Sequence, residues 1–365
     1  MDISRKLIEE FRDKVNDNSY FVLHKYGEQN NINQWNCICS SMDWIEVSID
    51  YILEYKNKIT NRNFDMTIYG YISAIDNILE AINQLHRVLI NPKTIPFKGD
   101  SKIFFKNKFD YDDDKYFKHI RAVFGAHPVN LKDTQGKWFA SYPTSNSLEY
   151  DYAVSLWSNK LDINDITFGF KIEDLNKFLY LRYTYLNKLI EIIELEFKNF
   201  EKDMQKIKIP EEETPLKKLE NLRLASKQRL NNDYYKESID KLIYIYSTKF
   251  STNKNKTIIT EYLEKADKMI EELQYNLQNM VFDDLRYDIF DYNVPKEIRY
   301  QISKFFDQVI YFRLNLSGYS PYFFKNIMIE IREYFKNDLI LNEEMEIDEI
   351  YFLVSALLHL KTKQP

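Results

Sequence analysis

The sequence predicts a mainly α protein carrying one small antiparallel sheet, and three observations support that class. Apolar residues recur at the helical period through most of the 365 residues. Only 7 glycines are available for tight turns while 16% of the chain is aromatic, a composition suited to large cores between long elements. The period drops from 3.6 to 2 in one confined region, about residues 138–172, which reads as strands. A chain of this length is long for a single core, so two domains are expected.

Ile3, Leu7, Ile8, Phe11 and Val15 lie at helical spacing with charges opposite, which predicts a short amphipathic helix over residues 2–16. The Asn-rich residues 17–34 read as a loop. From Trp35 to Ile59, the positions Ile38, Met42, Ile45, Ile49, Ile52 and Leu53 form an apolar stripe beside a carboxylate stripe of Asp43, Glu46, Asp50 and Glu54. Residues 60–63 make a turn, and Phe64 to Ile90 repeats the helical pattern through Ile68, Ile72, Ile75, Leu79, Ile82 and Leu89. Two long helices joined by so short a turn run antiparallel.

Pro92, Pro96 and Gly99 bar any continuation. Asp112, Asp113 and Asp114 then open a further helix, at the end where the macrodipole favours negative charge. It is expected to run from about Asp113 to Phe124, with Gly125 as a left-handed cap and Pro128 preventing resumption. Strands follow at Trp138 to Tyr142, Tyr150 to Ser158 and Ile166 to Ile172, making a three-stranded meander with one buried face. A single helix is expected from Glu173 to about Lys206, with Arg182 on its apolar seam reaching for a carboxylate.

Two prolines among alternating charge blocks in residues 206–218 mark a boundary. The division is therefore a helical domain of residues 1–207, with the sheet at about 138–172, and a helical domain of residues 213–365. In the second, helices are expected at about 215–230, 233–249, 256–280, 295–316, 321–337 and 348–360, with Pro295 and Pro321 in first turns.

Composition narrows the functional classes. The net charge of −6 and pI near 5.6 give no global basic field, so any polyanion site must be local. Cys37 and Cys39, the only cysteines, face apart on a helix, which indicates neither a disulfide nor a metal cluster and is in keeping with a reduced, cytoplasmic protein. Residues 1–19 are charged throughout, and no run reaches the roughly 20 apolar residues of a membrane span, so no membrane association is expected. The phosphate-cradling glycine loops are missing, as are HExxH, CxxC and GxSxG, and neither cofactor nor metal is expected.

One candidate for chemistry remains. Arg121 falls in the last turn of the helix that begins at Asp113, and His127 lies just past its end, in the run R-A-V-F-G-A-H. This spacing, placed after two long hairpin helices, resembles the R-x4-6-H motif of the HEPN superfamily of helical ribonucleases and nucleotide-associated proteins, over about the first 130 to 200 residues. The resemblance implies that Arg121 and His127 are catalytic in a metal-independent endoribonuclease, that two copies face one another as a homodimer, and that the chain serves as a toxin or phage-defence effector. RNA is then the partner, with Lys115, Lys118 and His119 as nucleic-acid contacts, and Glu46, Asp50, Asp76 and Glu80 are the carboxylates available to orient the pair. A second reading stays open: Arg121 pairs with one of these carboxylates, His127 caps helix-end carbonyls, and the chain is a non-catalytic interaction protein whose C-terminal domain takes a protein partner.

Overall fold

A computed structural model describes residues 3–27, 31–55, 66–104, 111–132, 136–141, 149–230, 234–251, 253–341 and 345–362. The protein is mainly helical with one small antiparallel sheet. It divides into two compact units, Met1–Asn199 and Phe200–Pro365.

The first unit begins with α1 (Lys6–Asp17), which buries Ile8, Phe11 and Val15. The Asn-rich stretch expected to be a loop instead contains a second helix, α2 (Ser19–Tyr26), because Phe21, Val22 and Tyr26 fall on one side of it and are buried. Polar composition misled here; Asn18 sits at the break, its side chain donating to the Lys14 carbonyl at 2.9 Å. Helix α3 (Trp35–Tyr55) and helix α4 (Met66–Leu89) pack along much of their length through the expected stripes. The turn expected at residues 60–63 lies outside the described residues.

Helix α5 (Asp113–Arg121) packs against α4 and leads into the sheet. Among the described residues four strands are paired where three were expected: β1 (Leu131–Lys132), β2 (Lys137–Ser141), β3 (Tyr152–Ser158) and β4 (Ile166–Phe170), all antiparallel in sequence order. The extra strand is only two residues long, too short to show any alternation. Its pairing of Leu131 with Trp138 puts both in the core. On the same inner face Tyr152, Val154 and Leu156 of β3 stand opposite Phe170, Phe168 and Ile166 of β4.

The helix expected from residue 173 to 206 is two helices, α6 (Ile172–Tyr183) and α7 (Tyr185–Lys206). Thr184 separates them: its hydroxyl donates to the Tyr180 carbonyl at 2.8 Å, a bond that competes with the helix ladder and bends the chain. The division between units falls inside α7, at Asn199, and not in the proline-bearing segment 206–218. That segment is held within the second unit, where Ile209 is buried and its N–H donates to the Gln278 side chain at 2.9 Å.

The second unit contains α8 (Pro215–Leu230), α9 (Lys236–Ser247), α10 (Lys256–Asn279), α11 (Arg299–Arg313), α12 (Pro321–Phe335) and α13 (Ile347–Thr362). Helix α13 packs against α10 and α11. It is apolar nearly all round and buries Phe352, Leu353, Val354 and Ala356 completely, as a helix inside a core must. Pro321 occupies the first turn of α12 behind Ser320, whose hydroxyl accepts from the Phe323 N–H. The buried Arg229 of α8 donates to the Met204 and Ile207 carbonyls at 3.2 and 2.7 Å, closing the C-terminal end of α7. No helix among the described residues is long and apolar enough to cross a membrane.

Candidate functional site

The three acidic residues that open α5 do three different things. Asp112, in an extended conformation, caps the helix by accepting from the Lys115 N–H at 2.8 Å. Asp113 is almost fully buried and accepts from the N–H groups of Lys102, Ile103 and Phe104 at 3.0, 3.1 and 2.9 Å, stitching the preceding loop to the helix start. Asp114 pairs with Arg182 Nη2 at 2.7 Å. Each of the three therefore has a partner beyond the helix macrodipole.

Because Asp113 satisfies three backbone donors in a site with little water, Asp113→Ala is expected to lower the unfolding free energy by roughly 3 kcal/mol, from donors left unpaired. Thermal melts of wild type, Asp113→Ala and Asp113→Asn check this, with Asn keeping one acceptor oxygen and falling between. Equal melting of all three would show that the loop finds other partners.

Arg182 was expected to reach a carboxylate from the apolar seam of its helix, and it does so without reaching water. Its side chain is only 2% exposed, and the guanidinium lies over the Phe178 ring at 3.9 Å and the Phe97 ring at 4.7 Å. Burial pushes the Asp114 carboxyl above the ordinary carboxylate range, while the adjacent guanidinium pulls it back down.

At its other end α5 changes geometry. Beyond Arg121 the chain widens into a π-helical turn, Ala122–Ala126, closed by the His127 N–H donating to the Ala122 carbonyl at 2.9 Å. Gly125 is therefore not the left-handed cap expected, and it serves by lacking a side chain. A Cβ there would meet the Tyr69 ring of α4 at 3.0 Å. Phe124 in the same turn packs on Phe168 and Phe170 of β4, at 6.1 and 5.0 Å between ring centres. One side of the turn is thus held by α4 and another by the sheet, and His127 emerges exposed after it.

Arg121 points to α4, where its Nε meets Asp76 Oδ2 at 2.6 Å. The arginine side chain is 49% exposed and the aspartate largely covered. Burial raises the Asp76 carboxyl, Arg121 counters that, and Glu80 on the next turn raises it further. Lys118 lies 3.4 Å from Glu80, so Lys118 and Arg121 on α5 face Glu80 and Asp76 on α4. Glu46 and Asp50 belong to another network, on α3 with Arg5 and Arg12: Arg5 Nη1 is 2.8 Å from Asp50 and Arg12 Nη2 is 2.7 Å from Glu46.

The proposed nucleic-acid contacts share one helix and differ in exposure. Lys115 and Lys118 are exposed, whereas the half-buried His119 presents its ring edge-on to Phe168 at 4.7 Å and to Tyr111 at 5.9 Å. Among the described residues no side-chain hydrogen bond or ion pair joins Arg121 to His127. The anchor Asp76 was one of four carboxylates left open by the sequence; the register of α5 on α4 selects it. The π turn and the Tyr69 contact carried no local signal.

Chemically, the Nε bond to Asp76 leaves the guanidinium's two Nη groups without a partner among the described residues, and these form a fork suited to a phosphate. The His127 imidazole is exposed and open to an incoming ligand. No group of three or more His, Cys, Asp and Glu side chains lies close enough to hold a metal ion among the described residues. Comparison with protein-family models, with curated proteins and with solved structures finds no match to this chain.

Proposed function

We propose that the first unit is a metal-independent endoribonuclease of the HEPN kind, acting as a toxin or phage-defence effector, with Arg121 and His127 as its catalytic residues. The observation that carries this reading is the half-exposed guanidinium anchored through Nε on Asp76, next to a π turn from which His127 emerges exposed. Such turns are frequent at functional sites.

In the proposed reaction His127 takes the proton of a 2′-hydroxyl, and that oxygen attacks the adjacent phosphorus. The bond to the 5′-oxygen breaks, leaving a 2′,3′-cyclic phosphate, and the departing oxygen is protonated to a 5′-hydroxyl. The Nη groups of Arg121 bind the phosphate as charge gathers on it. One motif offers few groups for the whole task, so two copies facing across a two-fold axis supply a base, an acid and two guanidinium groups.

A second reading rests on the same ion pairs. The Arg121–Asp76 and Lys118–Glu80 contacts tie α5 to α4, which is what a structural role for Arg121 requires. In that reading the chain is a non-catalytic module and its second unit takes a protein partner.

The experiment is incubation of the purified protein with mixed RNA in excess chelator, with light scattering on the same sample. The ribonuclease reading expects cleavage to cyclic-phosphate ends and a dimer. Intact RNA from a monomer at micromolar concentration favours the second.

A further inference from the structure

The outer face of the sheet collects residues that neither the fold nor the Arg/His pair uses. Side chains two apart in a strand share a face, and so do residues directly opposite in neighbouring strands. In β2, Lys137 and Phe139 therefore point one way while Trp138 points into the core. Trp157 of β3 stands directly opposite Phe139, and Lys132 of β1 directly opposite Lys137. Two lysines and two aromatic rings thus occupy one contiguous face.

Both rings are open to solvent, Phe139 at 38% and Trp157 at 50% exposure. The far end of this face is closed instead, because Tyr150 lies over Gly169, where a Cβ would meet it at 2.7 Å. Like charges directly opposite in a sheet destabilise it. Neither Lys132 nor Lys137 has an ion pair with a carboxylate among the described residues, and the stem of exposed Lys160 passes 3.4 Å from a Cβ built on Gly136, at the same end. Three lysines against one carboxylate, Asp165, which accepts from the Ser158 N–H at 3.3 Å, give this end of the face a local positive excess over an aromatic floor, in a chain whose net charge is −6.

We infer that this face binds single-stranded RNA, its bases stacking on Phe139 and Trp157 and its phosphates held by Lys132 and Lys137. The polymer's identity rests on the ribonuclease reading above; the shape of the surface does not. Stacking platforms with interleaved cations suit single strands because the flat faces of the bases must be free, as they are not in a duplex. The platform also adjoins the Arg/His turn: the Ala140 N–H donates to the Pro128 carbonyl at 2.6 Å, so the residue after His127 lies against β2 beside Phe139. A strand whose phosphate sits at His127 has a floor for its neighbouring bases.

The test measures binding of a labelled oligouridylate by anisotropy in a His127→Ala background, so that no cleavage intervenes. Phe139→Ala and Trp157→Ala should each weaken binding about five- to a hundredfold, the range for losing one stacked base. Both should lower the melting temperature only slightly, since the rings are partly exposed and lose one cross-strand contact. Trp157 emission should be quenched by the oligonucleotide, a signal lost in Trp157→Phe while binding is largely kept. Lys132→Glu with Lys137→Glu should weaken binding and flatten its salt dependence.

Binding that ignores the aromatic substitutions, a duplex of matched length bound as tightly, or equal competition by polyglutamate would each overturn the inference. The two readings fail separately. Binding that depends on Phe139 and Trp157, in a chain whose intact Arg121 and His127 cleave nothing, removes the ribonuclease and keeps the platform. Cleavage indifferent to both rings does the reverse.

Discussion

Arg182→Ala is expected to lower the unfolding free energy by about 3–5 kcal/mol, the cost of leaving one member of a buried ion pair alone. The guanidinium fills the space between Phe97 and Phe178 and is the bonded partner of Asp114, so truncation opens a cavity and strands a carboxylate. The loss should depend on pH with a definite sign. In the wild type burial already raises Asp114, and Arg182 restrains the rise. Without Arg182 the folded state holds the Asp114 proton well above the ordinary carboxylate range, so between the two values folding takes up a proton. The gap between variant and wild type is then widest near neutrality and narrows as the pH falls towards about 4, where a neutral carboxyl needs no cation. Combining Arg182→Met with Asp114→Leu should recover most of the stability, because an apolar pair of similar volume is often neutral where half an ion pair is not. Denaturant titrations at two pH values read all of this, and a loss that does not vary with pH would assign the effect to the cavity alone.

His127→Ala should abolish RNA cleavage, with a fall of about 10²–10⁴ in rate, the usual contribution of a positioned general base. It should move the unfolding free energy by less than about 1 kcal/mol, as expected for an exposed side chain. Arg121→Ala tests the other member and separates the two readings. If the guanidinium serves mainly to bind phosphate, activity falls and stability changes little, because the Asp76 pair is half open to water and such pairs contribute modestly. If its role is structural, Asp76 loses its counter-charge and the melt shifts strongly while cleavage was never present. Paired melts and cleavage assays on wild type and both variants distinguish the outcomes.

Much of the architecture was legible because it depends on local periodicity. The α3 and α4 stripes and the alternation of Ile166, Phe168 and Phe170 are properties of spacing, and each element buries the face its spacing predicts apart from Leu53 of α3, which is 39% exposed. The misreadings have local causes too. Residues 19–26 hide a helix because a short element shows too few repeats of its period, and Thr184 splits a continuous apolar seam through a hydrogen bond that no hydropathy pattern records. β1 has two residues and exists only by its pairing with β2.

For the candidate site the sequence by itself determined the helix that starts at the Asp cluster, Arg121 near its end and His127 beyond it, since caps, charge placement and spacing are local properties. Tertiary structure alone decided the rest. Which carboxylate meets Arg121 depends on the register of α5 against α4, and which of three adjacent aspartates caps, stitches or pairs depends on a loop and on Arg182, 68 residues from Asp114. The widening at Gly125 exists because Tyr69 and the sheet close on the same turn, and the union of Lys132, Lys137, Phe139 and Trp157 on one face depends on strand register. These contacts join residues far apart in the chain, and their free energy is realised only after the elements have packed.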